Sequence, residues 1–253
     1  MNLTRSPEAD RTLRYAIISD IHSNLQALQE VLSLIDRLAV DRIICLGDIV
    51  GYGGDPALCI ELVRQKCFQV ILGNHDAAAV GLTSVAYFNP VAREAALWTG
   101  RVLTPREKSY LSGLPLKDDF GEFEIVHSTP DDPALWRYLF TEEEAGPLFD
   151  CFSRQLLFYG HTHFPMVFES SLKEVLFHEP EDFTLDSQIR YIVNVGSVGQ
   201  PRDGDPRAAF ALFDSGRNEV TFHRQPYDIA AAQRRILENG LPQILAARLA
   251  YGS

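Results

Sequence analysis

The chain has 253 residues, of which 46% are hydrophobic and 23% are charged, and its formal net charge is −11. This length suits one sizeable domain or two small ones, and the composition is that of a globular protein that can bury a core. The acidic balance argues against a stable nucleic-acid or anionic-lipid partner, although bound metal ions can still admit a phosphate substrate. No apolar run approaches the ~20 residues that a membrane span needs, so we expect no membrane partner.

The N-terminal residues and the cysteines bear on where the protein works. Residues 1–13 are polar and lack the apolar segment of a secretory signal, so we predict a flexible lead-in and then a single domain over residues 14–253. The four cysteines form no Cys-x-x-Cys pair and lie in apolar stretches, as is typical of buried, reduced thiols. Both features predict a cytoplasmic protein.

The first half of the chain alternates strand and helix patterns. Apolar runs predict strands over residues 14–19, 42–46 and 69–72, and apolar residues at helical spacing predict helices over residues 24–39 and 55–66. Asn24 and Asp55 are the expected N-caps of these helices, and Pro56 suits a first helical position. Such alternation is typical of a parallel sheet with crossover helices.

The second half of the chain is predicted to be rich in short strands. These strands span residues 123–126, 155–159, 166–169, 174–178, 191–195, 208–213 and 219–223, with a hairpin turn over residues 214–218. Helices are predicted over residues 90–103, 105–114, 141–152 and about 227–250, and the acidic segment 179–188 is predicted to be a solvated loop. Two sheets packed face to face with helices outside would accommodate both halves, so the expected fold class is α/β (α+β in some schemes).

Ligand-type side chains follow five of the predicted strands, at the point where each strand ends. They occur in the segments "SDIHSN" (19–24), "GDIV" (47–50), "GNHD" (73–76), "VHST" (126–129) and "GHTH" (160–163). Five of the seven histidines fall in these segments, whereas His178 and His223 lie inside predicted strands and are assigned a structural role. Because sites in open α/β sheets form at strand ends, this concentration predicts one common site.

The spacing and the donor types predict a pair of metal ions. Residues i and i+2 of an extended chain point to the same side, so Asp20 with His22, and His161 with His163, can each face one point. Nitrogen and oxygen donors without a thiolate favour borderline divalent ions such as Mn²⁺, Fe²⁺, Co²⁺, Ni²⁺ or Zn²⁺ rather than Ca²⁺ or an iron–sulfur cluster. We expect Mn²⁺ first among these ions, with Mg²⁺ as a further alternative. The donors exceed one tetrahedral site and suit two metals ~3.5–4 Å apart that share a carboxylate. The seven candidates are Asp20, His22, Asp48, Asn74, His127, His161 and His163.

The order of these segments resembles the calcineurin-like metallophosphoesterase superfamily, and in particular its small bacterial and archaeal phosphodiesterase-like members. The resemblance runs from about Tyr15 to His163, and "NVGSVGQPRDGD" (194–205) resembles a further family segment. It implies a four-layer α-β-β-α sandwich with two mixed β-sheets packed face to face. One departure is Ser128, because many relatives have glycine after the equivalent of His127.

The resemblance also implies a role for each site residue. It assigns Asp20, His22, His163 and a bridging Asp48 to one metal, and Asp48, Asn74, His127 and His161 to the other. His75 matches the family histidine that faces the substrate phosphoryl group and the leaving oxygen, and Asp76 would orient His75 through a hydrogen bond. In the implied mechanism a hydroxide that bridges the metals attacks the phosphoryl group, and the metals neutralise the developing charge.

Further residues are candidates for contacting the substrate. Arg202 is the first choice and Arg207 the second, because a guanidinium group matches phosphate oxygens well. Asn74 would contact the substrate as well as a metal, and Tyr52 would either line the pocket or pack within its loop. Residues 83–118 could form a partial lid, and residues 194–199 could instead only shape a loop beneath the metals.

The function predicted from these residues is a metal-dependent phosphoric ester hydrolase, favoured as a phosphodiesterase that acts on small phosphodiester or nucleotide-type substrates. A phosphomonoesterase, a serine/threonine protein phosphatase and a dinucleoside polyphosphate hydrolase stay open, because the fold does not choose among them. An alternative of another class is a catalytically inactive protein-binding scaffold, which the intact His75 and the complete donor set disfavour. A homodimer is a further expectation from the family.

Overall fold

Two six-stranded sheets form the centre of the computed structural model, which describes residues 12–171 and 174–253. The strands in these residues are β1 (Arg14–Ile18), β2 (Arg42–Cys45), β3 (Gln69–Val70), β4 (Lys117–Asp119), β5 (Phe123–Val126), β6 (Leu156–Tyr159), β7 (Met166–Ser170), β8 (Val175–His178), β9 (Phe183–Thr184), β10 (Arg190–Asn194), β11 (Ala208–Asp214) and β12 (Glu219–Gln225). The α-helices in the same residues are α1 (Leu25–Arg37), α2 (Pro56–Lys66), α3 (Asn74–Ala79), α4 (Pro90–Val102), α5 (Pro105–Ser112), α6 (Glu142–Leu148), α7 (Ile229–Glu238) and α8 (Gln243–Leu249).

Both sheets are mixed, and the predicted ligands follow the parallel strands of each sheet. The first sheet has the strand order β3-β2-β1-β11-β12-β9, in which β1, β2 and β3 are parallel and β11 runs antiparallel to β1. The second has the order β4-β5-β6-β10-β7-β8, in which β5, β6 and β10 are parallel. Parallel strands end at the same edge, so the segments after β1, β2 and β3 come together, as do those after β5 and β6.

Three apolar cores explain the layering. Alternate residues of β1, such as Tyr15 and Ile17, face the second sheet and pack with its Phe123 and Phe158 between the two sheets. The other face of the first sheet packs against α1, whose apolar residues recur at helical spacing, through residues such as Leu28. The outer face of the second sheet packs against α6. The result is the predicted four-layer α-β-β-α sandwich, which confirms the expected fold class.

The main elements lie where the sequence predicts them, with four differences. The predicted acidic loop contains β9, because Phe183 packs on the core between the sheets and its backbone pairs with β12. Neither β4, a charged edge strand, nor α3, which begins at Asn74, was predicted. Asp55 precedes α2 as expected, but its carboxylate forms an ion pair with Arg235 at 2.7 Å and does not cap the helix. By contrast, Asn24 caps α1 by accepting from the Ala27 N–H at 3.1 Å.

The predicted lead-in over residues 1–13 falls almost entirely outside the described residues. Of its described residues, Leu13 is half-buried and packs against the core between the sheets. The Leu13 N–H also donates to Ser215 Oγ at 2.9 Å. The described end of this segment thus packs on the domain, and the rest of the predicted lead-in stays a prediction.

Candidate metal centre

The predicted ligands gather in two neighbouring groups at the strand ends. One group consists of Asp20, His22 and His163, and the other of Asp48, His127 and His161. Within each group the ligand atoms lie within 4.8 Å of one another, and all six side chains are buried. Two buried groups of histidine and aspartate form a candidate dinuclear metal site.

Asp48 lies between the two groups. Its Oδ2 is 3.6 Å from His22 Nε2, which belongs to the first group, and 3.5 Å from His127 Nε2, which belongs to the second. Asn74 Oδ1 lies 3.2 Å from the same His127 nitrogen, so the amide also faces this point. The other Asp48 oxygen, Oδ1, accepts from the His75 N–H at 2.7 Å, which fixes the carboxylate orientation. Asp48 therefore faces both ligand groups.

The hydrogen bonds of His22 and His163 favour a cation between them. His22 Nδ1 donates to the Val50 carbonyl at 3.1 Å, and His163 Nδ1 donates to the Gln200 carbonyl at 2.6 Å. These bonds assign the proton to Nδ1 in both rings and leave both Nε2 atoms as lone-pair donors. The two Nε2 atoms nevertheless lie 3.0 Å apart, with the unpartnered, buried Asp20 Oδ1 nearby among the described residues. Such a set of donors fits a divalent metal ion.

The second group is oriented in the same way. His127 Nδ1 donates to the Leu46 carbonyl at 2.7 Å and turns Nε2 towards Asp48. His161 uses the opposite nitrogen, because its Nε2 donates to the Trp136 carbonyl at 2.9 Å and Nδ1 is left as the ligand. The backbone carbonyls that hold the four histidines were not predicted, since a carbonyl carries no residue-specific sequence signal.

The backbone of the ligand loops is held in an unusual conformation. Seven of the ten described non-glycine residues with positive φ belong to these loops. They are Asp20, His22, Ser23, Asp48, Tyr52, His161 and His163. Left-handed backbone in non-glycine residues is uncommon and concentrates at functional sites, where the surrounding packing maintains it.

Two glycines allow the ligand loops to approach one another closely. A Cβ on Gly160 would collide with Ser19 Oγ and lie 2.6 Å from Asp20 Oδ2, and a Cβ on Gly73 would collide with Asp48 Oδ1. Both glycines directly precede ligand-type residues, as the sequence predicts. Both glycines therefore leave room for the side chains of the neighbouring ligand loops, which include Ser19 and the two carboxylates.

Mutual charge sets the protonation of the metal-free site. Burial raises the pKa of Asp48, but His127 and His75 outweigh it and hold that pKa well below its usual range. Burial lowers the pKa of His127, but the adjacent Asp48 carboxylate raises it to about 9. Burial and then the charge of His127 lower the pKa of His161 to about 3. Without metal, the site therefore holds an Asp48–His127 ion pair beside a neutral His161.

His75 and Asp76 both lie at the centre, but not as the predicted hydrogen-bonded pair. The Asp76 carboxylate accepts from the Val50 N–H at 3.0 Å and from the Gly73 N–H at 3.2 Å, so it fixes the loops on both sides. His75 Nδ1 is buried and has no hydrogen-bond partner among the described residues. The expected hydrogen bond between Asp76 and His75 is therefore not formed among the described residues, because the Asp76 carboxylate accepts from backbone N–H groups instead. Burial lowers the pKa of His75 to about 4 and raises that of Asp76 to about 7.

The segment 194–205 packs beneath the metal centre. Asn194 Nδ2 donates to the Gly160 carbonyl at 2.6 Å and to Thr162 Oγ1 at 2.9 Å. Ser197 Oγ donates to the Asp20 carbonyl at 2.8 Å. These contacts match the interpretation in which the segment shapes the ligand loops.

A cavity of about 640 Å³ opens beside the metal centre, with Asn74, His75 and His161 in its lining. Tyr52 also lines this cavity, and its ring centroid lies 4.3 Å from that of His75. The half-buried Arg202 places its Cζ 5.6 Å from the Tyr52 ring centroid. The guanidinium Nε of Arg202 is buried and has no hydrogen-bond partner in the described part of the chain. The Arg202 guanidinium group thus offers a positive charge beside the candidate metal centre.

The other sequence candidates lie outside this centre. Arg207 is exposed and bound to Asp205, with Nε 3.0 Å from Oδ1. His178 forms an exposed ion pair with Glu169 at 3.1 Å, and the ring of the half-buried His223 stacks on Phe210 at 5.0 Å. Neither histidine joins the two ligand groups. Among the described helices, none has the length and apolar character needed to cross a membrane.

Comparison with known proteins agrees with this geometry. Residues 13–218 match a family described as the calcineurin-like phosphoesterase superfamily domain. A metallophosphoesterase from Sphaerobacter thermophilus with a known crystal structure is 44% identical, with a TM-score of 0.85 over 96% of this chain and 100% of that chain. The uncharacterized protein MJ0912 of Methanocaldococcus jannaschii is 40% identical over 242 residues, which are 94% of this chain and 97% of that protein.

A more distant structure shares the fold. The hypothetical protein PH1004 from Pyrococcus horikoshii OT3 is 21% identical, with a TM-score of 0.75 over 95% of this chain and 98% of that chain. At this identity the likeness shows the fold alone. The family assignment therefore rests on the family match and on the two relatives of higher identity, and the two buried ligand groups agree with it.

Proposed function

This chain belongs to the calcineurin-like phosphoesterase superfamily, and from that premise we propose that it hydrolyses small phosphodiesters at a dinuclear metal centre. The observation that carries the proposal is the position of Asp48, whose Oδ2 lies between His22 Nε2 and His127 Nε2 at 3.6 Å and 3.5 Å. One carboxylate can thus hold two ions against the two ligand groups. Two divalent ions in such a site supply Lewis acidity, which makes water nucleophilic near neutral pH and neutralises phosphoryl charge.

Binding of the substrate and of the leaving oxygen is assigned to side chains around the proposed metal centre. Asn74 and Arg202 are proposed to bind phosphoryl oxygens, since one lines the cavity and the other carries an unpartnered buried Nε among the described residues. His75 is proposed to donate a hydrogen bond to the leaving oxygen. Its low pKa leaves the ring neutral near pH 7, so it would act through an N–H of the neutral imidazole. Asp76 acts as a positioning residue that fixes the loops before α3.

The charge of the cavity favours a diester over a monoester. The residues lining the described cavity include neither lysine nor arginine. A phosphodiester carries one negative charge, whereas a monoester carries close to two and needs more compensation from cations. The position of Arg202 favours the alternative, a phosphomonoesterase, because its guanidinium group could supply the additional positive charge that a monoester needs.

The test compares two chromogenic esters on one enzyme. Metal-stripped protein is reloaded with Mn²⁺ and assayed on bis(4-nitrophenyl) phosphate and on 4-nitrophenyl phosphate. We expect Mn²⁺-dependent turnover that is faster for the diester, and a loss of about 10²-fold in kcat for His75→Ala with the metal content unchanged. Arg202→Ala is expected to slow the monoester more than the diester, and the exposed Arg207→Ala is its matched control.

Two results would contradict the proposal. Faster turnover of the monoester would replace the phosphodiesterase with the phosphomonoesterase. No turnover of either ester despite two bound ions per chain would favour the protein-binding scaffold, although the complete donor set argues against it. The native metal is addressed by repeating the assay with Fe²⁺, Zn²⁺, Co²⁺, Ni²⁺ and Mg²⁺.

A further inference from the structure

The cavity beside the metal centre is lined by aromatic side chains that the metal chemistry does not need. On one side the ring of Phe88 lies 5.0 Å from His75, which in turn lies 4.3 Å from Tyr52. On the other side Tyr138 stacks on the metal ligand His161, with ring centroids 4.3 Å apart and planes 19° apart. We call this cavity the aromatic cleft, and its aromatic residues other than histidine are Tyr52, Tyr87, Phe88, Trp136 and Tyr138.

Several of these side chains are far more exposed than their hydrophobicity predicts. Tyr87 is 95% exposed, Leu135 58% and Tyr138 52%, and all three line the aromatic cleft. Apolar groups that converge on a concave surface next to a reactive centre mark a ligand site. A solvated surface would not need this clustering.

Both segments that carry the exposed rings are held in place. Arg93 binds the turn that contains Tyr87, with Nε donating to the Val85 carbonyl at 3.1 Å and a terminal nitrogen donating to the Ala86 carbonyl at 2.9 Å. On the opposite segment the Trp136 carbonyl accepts from the ligand His161 at 2.9 Å. The backbone of both segments is therefore fixed, and one wall of the aromatic cleft contacts the candidate ligand His161 directly.

The charge of the aromatic cleft restricts its occupant. Its described lining contains none of Lys, Arg, Asp and Glu, and its polar groups are amides, hydroxyls and two histidines. A further phosphate in the cleft would therefore lose its hydration without gaining a cationic partner. The occupant must be flat, uncharged and able to stack.

We propose that the aromatic cleft binds a nucleobase, so that the substrate is a nucleoside phosphodiester with a single phosphate. This inference rests on the proposed function, because the scissile phosphate would sit at the metal centre while the base stacks in the cleft. A base offers a planar face to the aromatic side chains, and its edge can bond to polar groups of the lining. A dinucleoside polyphosphate fits less well, since its additional charges would find no cation in the cleft.

The first test uses two esters with the same leaving group. The Mn²⁺-loaded protein is assayed on thymidine 5′-(4-nitrophenyl phosphate) and on methyl 4-nitrophenyl phosphate. The first carries a deoxyribose and a base that the second lacks, so a preference reports on nucleoside recognition, which the variants and the binding measurement then assign to the base or the sugar. We expect kcat/KM to be about tenfold or more higher for the thymidine ester, the size of one stacking contact. Equal kcat/KM values would overturn the inference and leave the phosphodiesterase proposal standing.

Matched variants locate the preference. Tyr87→Ala is expected to lower kcat/KM for the thymidine ester about tenfold while leaving the methyl ester within about twofold. Tyr87 suits this purpose because its ring is 95% exposed, so its removal leaves the fold and the ligands in place. Tyr251→Ala is the control, since Tyr251 is also exposed and lies outside the cleft lining. An equal loss for both esters in Tyr87→Ala would contradict base stacking.

A binding measurement separates the inference from catalysis. Ribose 5-phosphate carries a hydroxyl group where adenosine 5′-monophosphate carries its base, and the affinities of both for the Mn²⁺-loaded protein are measured by calorimetry. We expect the nucleotide to bind about tenfold more tightly in the wild-type chain and equally in Tyr87→Ala. Preferential binding without turnover of any ester would reject the hydrolase proposal but retain base recognition. Equal affinities in the wild-type chain would reject base recognition whatever the activity.

Discussion

Two cavities of similar size have opposite chemistry in this molecule. The aromatic cleft, of about 640 Å³, reaches buried histidines and lacks side chains of fixed charge in its described lining. The second, which we call the acidic cavity, measures about 490 Å³. It lies beside β7, β8 and β9, and its acidic residues are Glu169, Glu179, Glu181 and Asp182, with His178 among them. Neither volume nor the number of ligand-type residues therefore distinguishes a site.

The two cavities differ in how their polar groups are held. In the aromatic cleft, the candidate ligand His161 is 4% exposed, and its Nε2 is fixed by the Trp136 carbonyl. In the acidic cavity, the His178 side chain is 48% exposed and pairs with a single carboxylate. Fixed donors lose little freedom when they bind an ion, whereas mobile exposed donors must be ordered first. Burial and a fixed orientation, rather than proximity alone, therefore make a group of side chains suitable for binding a metal ion.

The largest contrast is expected from Asp48, which serves both ligand groups. Asp48→Asn keeps the size of the side chain but removes the charge that both ions share, so we expect fewer than two metals per chain and a loss of about 10³-fold in kcat/KM. Metal content by elemental analysis and turnover of bis(4-nitrophenyl) phosphate check this. Glu169→Gln in the acidic cavity is the matched control. Full metal content with normal turnover would show that Asp48 does not bridge.

A smaller effect is expected from the side chains beneath the ligands. Asn194→Ala removes the bonds to the Gly160 carbonyl and to Thr162 Oγ1, so the loop that carries His161 and His163 loosens. We expect metal affinity to fall about 10–100-fold, the range for a group that orients ligands. Titration of metal-stripped protein with Mn²⁺ measures it, and an unchanged affinity would mean that packing alone orders the loop.

Metal binding at this centre is also expected to release protons. The pKa of His127 is raised to about 9 in the metal-free protein, so near pH 7.5 its ring is protonated and must lose that proton to bind a metal. We expect Mn²⁺ binding to release about one proton and to strengthen as pH rises towards about 9. Calorimetry in two buffers of different ionisation enthalpy counts the protons. A binding enthalpy independent of the buffer would contradict the Asp48–His127 ion pair.

The smallest effect is expected in the acidic cavity. His178→Ala removes an exposed ion pair, which contributes at most about 1 kcal/mol to the free energy of unfolding. We therefore expect less than a twofold change in kcat/KM and in metal affinity. A larger change would mean that the acidic cavity takes part in function and would remove the contrast between the two cavities.

The fold and the gathering of the candidate ligands could be predicted from the sequence because both leave residue-specific patterns. Ligands such as Asp20 and His163 follow apolar strands, and the alternation of strands and helices predicted the layers. The strand β9 was missed because only Phe183 and its neighbours indicate burial inside an acidic segment.

The aromatic cleft was missed for a different reason. Tyr87 and Tyr138 lie far apart in the chain, and neither is part of a local motif. The orientation of the carboxylate of Asp76 was also beyond prediction, because backbone N–H groups compete for it in three dimensions. Sequence patterns thus indicate which side chains gather at the strand ends better than they indicate what surrounds those side chains.

The left-handed backbone of the ligand loops has an evolutionary consequence. Seven residues of these loops hold that conformation, and each costs about 1–3 kcal/mol. The total is of the same order as the net stability of a typical domain. Selection for thermal stability alone would therefore favour glycine or asparagine at these positions, and in most of them would delete a ligand. A copy of this gene released from its function should drift first at Asp20, Asp48 and His161, and should become more stable as it does.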